Sequence, residues 1–423
     1  MGNDSIEFRP DEAFARQLDD EDPLAGFRER FRFPCREDGR PVLYFTGNSL
    51  GLQPVGAVEA VQEEMEAWAR LAVDAHFKSD APWYSYHELL REPLARLVGA
   101  EPDEVVAMNS LTVNLHLMLV SFYRPTSSRY KILMEDCAFP SDSYAARSQL
   151  RHHGYDPADG LIVARAADGG SVIATEELES LIDRQGDEIA VVLLGGVNYY
   201  TGQLFDMARI AARAHERGCL VGVDLAHAAG NVPLELHAWD VDFAVWCSYK
   251  YLNGGPGAVG GCFVQRRHAQ NTELGRFGGW WGNDPARRFR MHLESEFHPR
   301  PTADGWQLSN PSILAMAPLR TSLEIFEQAG MPALREKSIR LTGYLEAWVE
   351  RAAAGRIEVL TPRDPAARGC QLSLRALDRP RELFGALQDE GVVADFREPD
   401  VVRIAPVPLY NSFADIWSLG QLL

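Results

Sequence analysis

Four short apolar runs, Ile189–Leu194, Leu220–Val223, Phe243–Cys247 and Val259–Val264, contain no charged residue and no polar alternation. They limit the fold more than any other feature. A strand with one face in water alternates apolar and polar side chains, whereas a continuous run of this length suits a strand covered on both faces. Helical patterns separate the runs. Ser141–His153 is one, and Asp206–Arg217 is another, ending at Gly218, which suits the left-handed position just past a helix. Tyr130–Met134 reads as a further strand. This alternation predicts an α/β fold whose large domain holds a mostly parallel central sheet.

The pattern changes after Pro311. Long helices are expected over Ile313–Ala329 and Met331–Ala354, then short strands near Ile357–Leu360 and Gln371–Leu374. A helix over Pro380–Glu390, with proline tolerated at its start, and a strand at Val401–Ile404 complete a smaller α+β domain. Upstream, Val58, Val61, Met65, Trp68 and Ala72 recur at helical spacing after Pro54 and Gly56. The expected division is an N-terminal segment, 1–70, packing with the small domain, then a large domain, 71–310, and the small domain, 311–423.

Composition narrows the partners. With 42 basic against 60 acidic residues the net charge is −18, so neither nucleic acid nor an anionic membrane is an expected partner. Cys35, Cys137, Cys219, Cys247, Cys262 and Cys370 form no C-x-x-C pair, which indicates a reduced protein with buried thiols acting as small hydrophobes. The start, Met1-Gly2-Asn3-Asp4-Ser5-Ile6, lacks a secretory pattern, and its serine falls one place short of a myristoylation signal. No apolar run approaches the ~18 residues that span a bilayer. The expected location is the cytoplasm.

Three features carry chemistry. Asn109-Ser110-Leu111-Thr112-Val113-Asn114 opens an apolar helix whose free N–H groups suit a phosphate, although plain capping accounts for Ser and Thr there. The run Leu220–Val223 ends in Asp224-Leu225-Ala226-His227, and parallel sheets bind ligands at the carboxyl ends of their strands. A lone carboxylate at that place is more often a helix cap. Phe243–Cys247 leads into Ser248-Tyr249-Lys250-Tyr251-Leu252-Asn253 and then Gly254-Gly255-Pro256-Gly257. A lysine between aromatic residues after a buried strand either snorkels from a turn or has work for its amine. Together the three match pyridoxal 5′-phosphate, which needs a lysine for a Schiff base, a carboxylate facing the pyridine nitrogen, and donors around a phosphate. A lysine amine ordinarily titrates at ~10.4, so such a site must hold it as the imine or lower its pKa.

These blocks resemble the kynureninase family, within the aspartate-aminotransferase-like fold type I enzymes that use pyridoxal phosphate. The likeness runs from Tyr44 to about Phe413. It rests on Gly47–Leu52, Leu111–His116, Phe139-Pro140-Ser141-Asp142, Tyr200–Gln203, Val223–His227, Ser248–Asn253, Gly279–Gly282, Leu308–Pro311 and Arg403–Pro406. The resemblance implies hydrolysis of kynurenine or 3-hydroxykynurenine to the matching anthranilate and alanine. It implies Lys250 as the covalent anchor, Asp224 opposite the pyridinium, and Leu111, Thr112 and Tyr249 at the phosphate. Phe139 would stack on the ring with Pro140 and Ser141 in its block, and Asp142 and His227 would lie beside it. Lys250, Tyr249 and Asp224 form the implied catalytic group. Trp280 and Asn310 match residues that reach in from a second subunit, which implies a homodimer with shared sites. Arg403 matches the arginine that holds the substrate α-carboxylate, a task suited to a planar fork. Ser49, His76 and Asn310 match positions near the substrate. His76, Ser309 and Asn310 are polar where other relatives carry bulkier or less polar residues, which favours the 3-hydroxy substrate. One departure stands out: Gly195 occupies a place where many relatives have a phosphate-binding serine.

Rival readings lack context. Gly255-Pro256-Gly257-Ala258-Val259-Gly260 fits G-x-G-x-x-G, but it leads into a strand rather than a helix. His152, His153 and His215 lack metal-ligand spacing, and no G-x-S-x-G elbow occurs. A cysteine desulfurase-like enzyme of the same fold needs a mobile reactive cysteine, yet Cys370 adjoins a strand-like run. A non-enzymatic relative predicts loss of Lys250, Asp224 or Arg403, and all three are present.

Overall fold

The computed structural model describes residues 9–423; the start Met1–Ile6, read above for targeting signals, lies outside the described residues. The apolar runs form the middle of a seven-stranded sheet. Its strands are β1 Val105–Ala107, β2 Lys131–Glu135, β3 Leu161–Ala164, β4 Ile189–Gly195, β5 Leu220–Asp224, β6 Phe243–Cys247 and β7 Gly260–Val264. Their order is β1-β7-β6-β5-β4-β2-β3. From β6 to β3 every pairing is parallel, and β7 is antiparallel to both neighbours.

Alternate residues of these strands feed two cores, as the pleat requires. Val192, Leu194, Val221, Val223, Ala244 and Trp246 face one side, where the helices Met207–Glu216 and Ile313–Ala329 pack. Val191, Leu193, Phe243, Val245, Cys262 and Val264 face the other, under Leu111–Phe122 and Pro140–His152. Both faces are therefore dry, which is why the runs do not alternate. Gly222 and Gly261 are forced by this packing: a β-carbon would sit 2.1 Å from the Phe243 ring and 2.0 Å from the Trp246 ring.

A second, antiparallel sheet has strands β8 Ile357–Val359, β9 Leu372–Ala376, β10 Asp395–Arg397 and β11 Val401–Ile404 in the order β8-β9-β11-β10. Phe14, Ala15 and Leu18 of the helix Glu12–Asp20 share its core with Tyr344, Leu345, Trp348, Phe413 and Ile416. The helix expected from the spacing of Val58 to Ala72 spans Ala57–Leu71, but most of its apolar stripe points outward, with Val61 packed against the core. Val58, Met65 and Trp68 are 61%, 44% and 58% exposed, while Ala57, Glu64 and Ala67 are buried. Among the described residues no helix is long and apolar enough to cross a membrane.

Candidate active site

Adjacent carboxyl ends of β2, β4 and β5 bring Glu135, Gly195 and Asp224 to one edge of the sheet. No helix follows Asp224 for it to cap; its Oδ1 instead accepts the Ala226 N–H at 2.6 Å within a turn. It also faces a second acid. Asp142, in the first turn of Pro140–His152, is buried against it, and its Oδ1 has no partner. Burial first, then the charge of Asp224 and a hydrogen bond with it, push the Asp142 carboxyl well above its ordinary range. Glu135 is a third buried acid: Oε1 accepts the Gly195 N–H at 3.1 Å and Oε2 has no partner. Burial lifts its carboxyl to about 7, against the pull of its own amide and that of Gly195 and with a further rise from Asp224.

Lys250 enters from the turn after β6. Its backbone is held by the N-terminal block: Gly51 donates its N–H to the Tyr249 carbonyl at 2.8 Å, and a β-carbon on Gly51 would lie 2.3 Å from the Lys250 carbonyl. Only glycine allows that approach. Lys250 is buried, with Nζ 3.0 Å from His227 Nε2 and 5.6 Å from the Phe139 ring centroid. Burial, and then the charges of Lys250, Arg403 and Arg397, hold the His227 imidazole well below its ordinary range. Neutral His227 therefore accepts from Nζ and carries its proton on Nδ1, which is buried without a partner. The buried Ser248 Oγ is likewise unpartnered.

A potential anion site lies where two helices begin. Ser110 precedes Leu111–Phe122 but makes no side-chain capping bond, so capping does not account for this segment. Thr112 Oγ1 sits 3.1 Å from Ser141 Oγ at the start of Pro140–His152. Two hydroxyls thus meet beside the first N–H groups of Leu111–Phe122; the second helix adds only the Ser141 N–H, since Pro140 has none and Asp142 and Ser143 donate theirs to the Phe139 carbonyl. Half-buried Tyr249 follows β6; burial raises its hydroxyl, as does neighbouring Cys247.

Arg403, on β11, is almost fully buried. Its Nε donates to Asp395 Oδ1 at 3.0 Å, Nη2 lies 2.9 Å from Asp395 Oδ2, and Nη1 donates to the Tyr199 carbonyl at 2.7 Å. The Tyr199 ring meets Phe139 edge-on at 5.3 Å, linking the arginine to the lysine. Asp395, Arg397, Tyr199 and Glu135 were absent from the sequence reading. Three of them sit in a turn or a three-residue strand with no period to read, but Glu135 was detectable as an acid closing an apolar strand, as Asp224 closes β5.

Five other candidates lie apart from this cluster. Ser49 and Asn310 are exposed, and Asn310 Oδ1 accepts from Ser309 Oγ at 3.2 Å. His76 packs edge-on against Trp83 at 5.4 Å, and Trp280 against Trp281 at 4.7 Å. Among the described residues, none of Ser49, His76, Trp280, Ser309 and Asn310 hydrogen-bonds or stacks with Lys250, Asp224, His227 or Arg403. Cys370 is fully buried, and burial pushes its thiol up to about 12.

Solved structures share this architecture. A cysteine desulfurase from Escherichia coli aligns with a TM-score of 0.76 at 18% identity, covering 94% of this chain and 97% of its own. A variant of C-DES with glycine covalently linked to its PLP cofactor aligns with a TM-score of 0.75 at 18% identity, covering 90% and 96%. The fold is that of the fold type I pyridoxal-phosphate enzymes. Sequence relatives are more specific. Kynureninase of Myxococcus xanthus (strain DK1622) is 56% identical over 416 residues, 98% of this chain and 97% of that protein. Kynureninase of Koribacter versatilis (strain Ellin345) is 53% identical over 414 residues, with 98% and 97% covered. Residues 334–423 match the kynureninase C-terminal domain. The chain belongs to the kynureninase family, and the desulfurases are distant structural relatives.

Proposed function

We propose that this protein, with pyridoxal 5′-phosphate bound, hydrolyses the Cβ–Cγ bond of L-kynurenine or 3-hydroxy-L-kynurenine. Water is consumed, and anthranilate or 3-hydroxyanthranilate leaves together with L-alanine. The observation that carries the site assignment is the buried Lys250 amine, 3.0 Å from a neutral His227 and beside the Asp142–Asp224 acid pair.

The residues fit the coenzyme. Asp142 Oδ1, His227 Nδ1 and Ser248 Oγ are buried polar atoms short of a partner, an arrangement that costs stability unless a ligand meets it. Lys250 would anchor the group, Asp224 would face its ring nitrogen, and Leu111, Thr112 and Ser141 would meet its phosphate, with Tyr249. Phe139 and Pro140 would cover the ring, with Asp142 and His227 at its edge. Gly195 gives its N–H to Glu135, so the missing serine leaves the phosphate to those helix termini. When bound, pyridoxal phosphate supplies an electron sink for negative charge developing on the substrate's α- and β-carbons.

The protein's own groups supply the proton transfers. Lys250 Nζ, when free, is the base for the substrate α-proton, and His227 Nε2 orients it through their hydrogen bond. Tyr249 keeps its hydroxyl proton at neutral pH and so can donate to the γ-carbonyl oxygen as water adds. Arg403 holds the α-carboxylate. Trp280 and Asn310 would join the site across a homodimer, and Ser49 and His76 would lie near the substrate. The outward stripe of Val58, Met65 and Trp68 supports that assembly, because isolated proteins rarely expose such a surface. Six free cysteines, four of them buried, favour the cytoplasm.

Adding kynurenine and 3-hydroxykynurenine separately to holoenzyme should release a fluorescent aromatic amine. Lys250→Ala should lower turnover by at least about 10⁴-fold, and a normal rate in that variant refutes the assignment. The polar trio His76, Ser309 and Asn310 favours the 3-hydroxy substrate, whose hydroxyl would be worth about 1–3 kcal/mol in kcat/KM. A clear preference for plain kynurenine removes that part of the reading.

A further inference from the structure

Arg403 is held unusually firmly for a residue that must bind a ligand. A guanidinium has five N–H donors. Asp395 takes one from Nε and one from Nη2, and the Tyr199 carbonyl takes one from Nη1. One N–H remains on each terminal nitrogen, enough for two bonds to a carboxylate. Arg397 reaches the same acid, with Nε 2.8 Å from Oδ1 and Nη2 donating to Oδ2 at 3.1 Å. Both guanidinium carbons lie 5.7 Å from the Tyr199 ring centroid. Two positive charges and one negative leave the cluster with a single net positive charge. Arg403 and Asp395 side chains are 1% and 15% exposed, so water screens their pairing weakly.

We propose that Asp395 is a positioning residue for the substrate α-carboxylate: it fixes the plane of the Arg403 guanidinium and holds Arg397 alongside, leaving one positive charge for one carboxylate. This rests on the kynureninase reading, since it requires an α-amino acid substrate. The role belongs to a carboxylate in particular. Asparagine offers one acceptor oxygen and turns an NH₂ group toward a guanidinium, so one of the two bonds that set the plane is lost.

The test compares kynurenine with decarboxylated kynurenine, the same molecule without its α-carboxylate, as a competitive inhibitor of holoenzyme. In Asp395→Asn the KM for kynurenine should rise about tenfold with kcat within about twofold, while the Ki of the decarboxylated compound stays within about twofold. Asp395→Glu, which restores two acceptor oxygens, should recover part of the loss in KM. An unchanged KM overturns the proposal. So does a Ki that rises in step with KM, because a merely structural role moves both. If the wild-type enzyme binds the two compounds equally, or does not cleave kynurenine, the underlying reading fails first and takes this proposal with it. Those two outcomes are seen without any Asp395 variant.

Discussion

Asp242 and Asp224 are buried aspartates at opposite ends of the same two strands, and the protein treats them in opposite ways. Asp242 precedes β6 at the amino end. It accepts the Val221 N–H at 2.7 Å and lies 2.9 Å from His215 Nε2, 2.6 Å from His268 Nε2 and 2.6 Å from Arg267 Nη2. Burial alone would raise its carboxyl, but the bonds from His215, His268 and the Val221 amide outweigh burial and hold it below its ordinary range. At the carboxyl end, Asp224 shares its surroundings with Asp142 and Glu135, whose carboxyls are raised and whose oxygens include two without partners. One end is satisfied and stable. The other keeps acids poised for something outside the chain, which is the expected mark of a binding site.

Exchanging one oxygen for NH₂ at each end should separate the two roles. Asp224→Asn should cost on the order of 10⁴-fold in turnover, about 5.5 kcal/mol of barrier, with little change in the unfolding of the apo-protein. A near-normal rate would break the comparison outright. Asp242→Asn should instead destabilise the fold by about 1–3 kcal/mol in denaturant unfolding, because a buried acid that meets the Val221 amide, two part-buried histidines and the exposed Arg267 loses one of its two acceptor oxygens. Activity per folded molecule should survive. The sign with pH follows from the lowered carboxyl. Its stabilisation is complete above the unfolded value of about 3.9 and is lost as pH falls through the folded one, so the wild type should lose more stability in acid than the variant.

This division was only half legible in the sequence. The dry strands β4, β5 and β6 announced themselves because burial on both faces removes alternation, and Asp224 and Lys250 followed from where those strands end. Short elements gave no such signal. β1 has three residues, β10 is half-buried, and Asp395 and Arg397 lie on the latter, so the arginine end could not be assembled from pattern. The helix at Ala57–Leu71 shows a different limit. Its period was correct, but a period cannot say whether a stripe faces the chain's own core or outward, as Val58 and Trp68 do. His76 and Trp280 pack on Trp83 and Trp281 rather than beside Lys250, and spacing along the chain gave no sign of that.

Glu135 offers the finest test of the contrast, because it can be changed without removing an established role. Its folded carboxyl sits at about 7 rather than the ordinary 4.5, so the folded state binds the proton more tightly than the unfolded state does. Stability from this group is therefore present below about 4.5 and falls as pH rises toward 7, by up to about 3 kcal/mol at about 1.4 kcal/mol per pH unit. Glu135→Gln keeps an oxygen for the Gly195 N–H but cannot ionise. The apo-variant should match the wild type near pH 5 and exceed its unfolding free energy at pH 8, with the slope between them flattened. Parallel stability curves across that window would place the proton on Asp142 alone. The carboxyl end would then hold one poised acid instead of two, and Glu135 would be a structural group that accepts the Gly195 N–H.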